Sequence, residues 1–225
     1  MTDVEWGSQE RHWIDRLGAS ASTLITCFTH YELDRISADF RLPREKFCFV
    51  PLAFVPQDVF EASDEGYIIA GGTKFRDWKT LVDAVDGLPY RVRIFTRDKL
   101  PRAPGNVTVE WADRAGYYRR IAAASCVVIP ALPQPWQTPG NTSWVSAMAM
   151  GKVAITTDPQ GAPDYMEQGV SGFYVPNGDA AALRQVIQLV MQDGALRQRV
   201  GKAARERAWR DFESQRLPAA DPGIA

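Results

Sequence analysis

Histidine and cysteine are scarce in this 225-residue chain. Two histidines, His12 and His30, cannot supply a histidine-rich metal site. The three cysteines, Cys27, Cys48 and Cys126, show neither C-x-x-C nor zinc spacing, and each has apolar neighbours ("ITCF", "FCFV", "SCVVIP"). They read as reduced, buried thiols of a cytoplasmic protein. No apolar run reaches membrane-spanning length, and "MTDVEWGSQERHW" has no signal-peptide pattern. Peripheral contact at the inner membrane face stays open. An excess of either charge is also missing: 26 Lys and Arg stand against 27 Asp and Glu. That balance argues against a protein whose main task is gripping nucleic acid or anionic lipid. No GxGxxG, Walker A, nucleophile elbow or HExxH occurs, so hydride transfer, P-loop hydrolysis and zinc hydrolysis lose support.

What is present is alternation. "WGSQERHWIDRLGA" reads as an amphipathic helix, "STLITCF" as a short buried strand, and "THYELDRISADFRL" as a helix with Thr29 as N-cap. "PREKFCFVPLAF" is a turn and a strand. From Gly66 the order is regular. "GYIIAGG" is a strand with a glycine turn, and "RDWKTLVDAVDGL" a helix with Trp78, Leu81, Val82 and Val85 on one face. "YRVRIFT" and "NVTVEW" are strands, "AGYYRRIAAA" a helix, and "SCVVIPAL" an apolar strand of the kind buried on both faces of a parallel sheet. "NTSWVSAMAM" is a short helix ended by Gly151 and followed by strand "VAITT". "APDYMEQG", "SGFYVPNGD" and two long amphipathic helices through Phe212 complete the pattern, before a tail expected to fray. The expectation is an α/β, Rossmann-like, mostly parallel sheet with helices on both faces, plus a short amino-terminal α/β piece.

In such sheets, ligands bind at the carboxyl ends of strands. In "AGGTKFRDW", Gly71, Gly72 and Thr73 precede the cations Lys74 and Arg76. Glycines let backbone approach a ligand, and two cations suit a diphosphate. A plain turn with solvated charges is the bland alternative. Thr96 opens the next loop, "TRDK". In "EWAD", Trp111 and Ala112 stand at a strand end, where an aromatic flanks a nucleobase or caps the core. Gly140, Asn141, Thr142 and Ser143 open the short helix, whose free N–H groups and dipole suit a phosphate. Asp164 and Glu167 fit a solvated helix face better than an acid–base pair.

The ordered set "YIIAGGTKFRDWKTLVDAV", "NVTVEWADRAGYYRRIAAASCVVIPAL" and "TPGNTSWVSAMAMGKVAITTDPQGAPDYMEQGVSGFYVPNGDAAAL" resembles the carboxyl-terminal half of GT-B-fold glycosyltransferases of the family-four, or group 1, type. The match runs from about Gly66 to Arg210. The resemblance implies a site for a UDP- or GDP-linked sugar as substrate, with no cofactor required. Arg76 falls where the family has its phosphate-binding lysine, and Lys74 near its arginine. Backbone around Trp111 would meet the base, and Gly140 to Ser143 the diphosphate and sugar. Two departures stand out. At the family's E-x7-E glutamates this chain has Thr138, at the sugar position, and Ser146, at the ribose position. Ser146 keeps one hydrogen bond for a ribose hydroxyl, whereas Thr138 lacks the charge and speaks against a nucleotide-sugar epimerase. The resemblance also divides the chain: 1–55 as a remnant of an amino-terminal acceptor domain and linker, 56–212 as the donor domain, and 213–225 as a flexible tail. It implies an acceptor (glycan, lipid or small molecule), with a homodimer or separate acceptor-domain partner to complete the site. The competing expectation is a catalytically inactive nucleotide-sugar-binding or scaffold module.

Overall fold

A computed structural model describes residues 24–72 and 74–214. The helix expected before residue 20, Thr73 and most of the tail lie outside them.

The amino-terminal segment is β1 (Ile25–Cys27), α1 (His30–Phe40) and β2 (Phe47–Phe49), with β1 and β2 paired in parallel. Thr29 caps α1 as expected, its hydroxyl accepting from Glu32 N at 3.1 Å. Asp164 departs from its expected solvated role. Its carboxylate accepts from His30 N at 2.7 Å and lies 2.9 Å from the His30 ring, clasping α1.

The main body alternates strand and helix: β3 (Tyr67–Gly71), α2 (Trp78–Val85), β4 (Arg91–Phe95), β5 (Val107–Glu110), α3 (Arg114–Ala123), β6 (Cys126–Ile129), α4 (Asn141–Ala149), β7 (Val153–Thr156), α5 (Ala162–Tyr165), β8 (Phe173–Tyr174), α6 (Ala180–Gln192) and α7 (Gly194–Asp211). The six strands form one parallel sheet in the order β5-β4-β3-β6-β7-β8. Parallel pairing forces each connection over a face, so both faces are covered. β6 shows the consequence: Val127 and Ile129 enter the core beneath α4, while Cys126 and Val128 enter the opposite core with Leu81 and Ile187. Each such buried aliphatic side chain stabilises the fold by roughly 1.5–3 kcal/mol. Cys27 and Cys126 are buried, Cys48 is half-buried, and all three are free thiols.

Helix ends follow local chemistry. Asp77, Asp113, Asp179 and Asp193 each accept a backbone N–H at the start of α2, α3, α6 and α7. α4 ends in a Schellman motif: Gly151, at φ +71°, donates to Met148 O at 2.8 Å and Lys152 N donates to Ala147 O at 2.9 Å. α7 then packs across this end, with Arg205 and Trp209 both donating to Ala149 O. The chain returns to the linker as Phe54 N donates to Phe212 O at 3.0 Å and Ser214 N to Phe54 O at 3.1 Å. Among the described residues, no helix is long and apolar enough to cross a membrane.

Candidate nucleotide-sugar site

Strand order reverses between β3 and β6. From β3 the chain builds outward to β4 and β5, then crosses back to β6 on the other side. A crevice opens at the carboxyl ends of such a pair, because the two following loops leave in opposite directions. Those loops hold Gly72 to Arg76 and Pro130 to Gly140.

Arg76 occupies the gap between them. Its Nε donates to Gly71 O at 3.0 Å and its Nη1 to Lys74 O at 2.8 Å. Gly72 has φ +129°, and a Cβ there would stand 2.5 Å from Arg76 Nε. A Cβ on Gly140 would stand 3.5 Å from Arg76 Nη2 and 2.4 Å from Ile129 Cγ2. Glycine at 72 therefore lets the guanidinium lie against the backbone, while glycine at 140 lets that turn close on Ile129. Burial holds the Arg76 pKa below its ordinary value. Among the described residues no carboxylate lies within 4 Å of it, and Asp98 acts on it from farther away.

The start of α4 is equally short of acceptors. Gly140 is its N-cap at φ +101°, and no side chain caps the helix. Ser143 N and Trp144 N turn back to Gly140 O, which leaves the Asn141 and Thr142 amides without a capping acceptor. Trp144 is fully buried, and its indole N–H has no acceptor. Its Nε1 also lies 3.5 Å from the Gly140 Cβ position. A guanidinium and free amides thus meet where negative charge is missing.

Beside them is a cleft of about 310 Å³, lined by Gly72, Phe95, Trp111, Ala112, Tyr117 and Ser143. Trp111 is 53% exposed, and the Arg97 guanidinium sits 3.9 Å from its ring centroid. Such exposure is not that of a residue capping the core. Tyr117 closes the floor, since a Cβ on Gly71 would lie 2.5 Å from its ring. Burial pushes the Tyr117 phenol up to about 12, so it stays protonated at neutral pH.

The structure brings together Gly71, Gly72, Arg76, Trp111, Ala112, Gly140, Thr142 and Ser143 around this crevice. Lys74 is exposed and accepts from Arg76 through its carbonyl. Asn141 is buried against Tyr165. Thr96, Thr138 and Ser146 are buried outside the cleft lining. Thr96 Oγ1 accepts from Asp98 N at 3.1 Å, and Ser146 is buried in the second turn of α4. The Thr138 hydroxyl is 3.0 Å from that of Thr29. Sequence reading missed Arg97, Tyr117 and Trp144. The pair Tyr117-Tyr118 directly after the Trp111 loop was the available signal.

The family model described as Glycosyl transferases group 1 matches residues 111–207. A capsular polysaccharide biosynthesis glycosyltransferase, CapM of Staphylococcus aureus, is 37% identical over 76 residues, which is 34% of this chain and 20% of that protein. The solved structure of sucrose-phosphate synthase from Thermosynechococcus elongatus superposes with a TM-score of 0.78 at 16% identity, covering 96% of this chain and 61% of that one. Anabaena Alr3699/HepE, solved in complex with UDP-glucose, superposes with a TM-score of 0.74 at 14% identity, covering 92% of this chain and 65% of that one. The chain therefore spans less than two thirds of the length of each of these three proteins. Residues 111–207 thus match the model of the Glycosyl transferases group 1 family, and the domain that carries them has the Rossmann-like fold seen in these two solved structures.

Proposed function

We propose that the chain is the donor-binding half of a glycosyltransferase that moves a sugar from a UDP- or GDP-linked donor to an acceptor. One observation carries this reading: the half-buried Arg76 guanidinium has no carboxylate within 4 Å among the described residues and lies beside Gly72 and Gly140 at an uncapped helix start. A diphosphate supplies the missing charge. Its oxygens would accept from Arg76 Nη2 and from the Asn141 and Thr142 amides, and the base would lie against Trp111.

Glycosyl transfer breaks the bond between the anomeric carbon and a phosphate oxygen, so negative charge grows on the departing diphosphate. Donors fixed in place before the reaction stabilise that charge without reorganising. Arg76 and the α4 amides would do this with no metal ion. The acceptor would arrive from a partner surface, such as a second copy or a separate acceptor domain.

Thr138 favours a second reading, a nucleotide-sugar-binding module without turnover. Its side chain is closed off by Thr29, and a Cβ on Gly161 would stand 2.2 Å from its Cγ2. As a threonine it brings no carboxylate to the position where the family resemblance puts the sugar.

Calorimetric titration with UDP, GDP and their glucose, mannose and N-acetylglucosamine forms tests the proposal. Saturable binding of one base series is expected, and binding of none contradicts it. Release of free nucleotide from the bound sugar donor separates transfer from binding alone.

A further inference from the structure

Glu32 belongs to α1 in sequence, but half of its carboxylate serves a loop 106 residues away. One oxygen accepts from Thr138 N at 2.7 Å and the other from Phe28 N at 2.8 Å. The residue is 6% exposed. A glutamate in a capping box ordinarily reaches back to the start of its own helix. Here the second acceptor holds the backbone of the segment that leads into α4.

That segment is held from three directions. Glu32 takes the Thr138 N–H, Thr29 meets the Thr138 hydroxyl at 3.0 Å, and Gly161 leaves room for the Thr138 methyl. Two residues later Gly140 turns left-handed at φ +101° and opens α4 beside Arg76. A shift at Thr138 is passed along this short stretch to the Asn141 and Thr142 amides. Burying a carboxylate costs several kcal/mol, and an uncharged side chain suffices to cap a surface helix. The charge is better explained by what it holds at Thr138.

We propose that Glu32 is a positioning residue for the donor site. Through the Thr138 N–H it fixes residues 138–143 so that the α4 amides and Arg76 converge on one diphosphate. This rests on the donor-site reading above. It makes the amino-terminal β1–α1 segment part of the donor site's support.

The test uses the full chain, with UDP-glucose and GDP-mannose as probes, because their diphosphate has no ionisation in the working pH range. Glu32→Gln keeps the size but places an amide N–H against one of the two backbone donors. Affinity for the bound donor is expected to fall about tenfold, the scale of a lost charged hydrogen bond. Hydrogen exchange should quicken at the Thr138 and Ser143 amides and stay unchanged in β3, β6 and β7. Should Glu32→Gln fail to fold, the pH profile of the unmodified chain carries the test. The groups facing Glu32 are Cys27, pushed up to about 11, and Tyr165, pushed up to about 12, so neither titrates in the acid range. The His30–Asp164 pair lies next to it on α1 and α5. Donor affinity should then fall with the acid titration that moves the Thr138 amide resonance. Equal donor affinity in Glu32→Gln, with unchanged exchange at Thr138 and Ser143, overturns the inference. So does a donor affinity blind to the Thr138 titration. If the unmodified chain binds neither probe, the donor-site reading fails, and the exchange comparison still decides whether Glu32 orders the loop.

Discussion

The Arg76 guanidinium crosses Gly72 so closely that a Cβ at residue 72 would stand 2.5 Å from Nε and 2.6 Å from Nη2. Gly72→Ala therefore meets two obstacles, the guanidinium and a φ of +129°. Backbone strain of this kind costs of order 1–3 kcal/mol. Displacement of Arg76 relieves the clash, so nucleotide affinity should fall at least tenfold while the fold persists. Calorimetry, with far-UV circular dichroism as the folding control, checks this.

Trp111 separates binding from stability. It is 53% exposed and contacts Arg97, so Trp111→Ala should change the unfolding free energy by no more than about 0.5 kcal/mol. Loss of base stacking should weaken nucleotide binding by about 1–3 kcal/mol. Trp111→Phe should recover most of it. Denaturant melts and titrations of the same variants give both quantities.

Gly201 offers the opposite case. A Cβ there would stand 2.2 Å from the backbone oxygen of Gly151, in the Schellman turn that ends α4. Backbone cannot rotate away as a side chain does, so α7 must lift from α4. Gly201→Ala should destabilise the protein by more than about 2 kcal/mol. An unchanged urea midpoint would mean that α7 is held elsewhere.

Asp158 sets a pH dependence of known sign. Burial raises its pKa, opposed by the N–H groups of Gly161 and Gln160. The folded state then keeps the proton to higher pH than the unfolded state does. Stability from this group is present below the ordinary carboxylate pKa and is lost as pH rises through the raised folded value. Unfolding free energies of the unmodified protein and Asp158→Asn, compared from about pH 3.5 upward, should show the unmodified protein losing ground to the variant with rising pH.

Much of this architecture was legible because it is local. Thr29 capping α1, the apolar face of α2 and the double-sided burial of β6 follow from spacing that a short window contains. The cation at Arg76 and the glycines around it were also readable, since one loop holds most of them. Thr138 and Ser146 were placed by counting positions in a family pattern. Counting says nothing of a side chain's neighbours: the Thr138 hydroxyl meets that of Thr29, and Ser146 is buried. Glu32 at Thr138 and Tyr117 beneath Gly71 join segments far apart in the chain. Only the closed sheet brings them together.

The most direct measurement is the UDP and GDP affinity of Arg76→Ala beside that of the unmodified chain. Arg76 is a half-buried cation with no carboxylate within 4 Å among the described residues, so its loss should weaken diphosphate binding at least tenfold. Equal affinity in the two proteins would contradict a diphosphate site between Gly72 and Gly140.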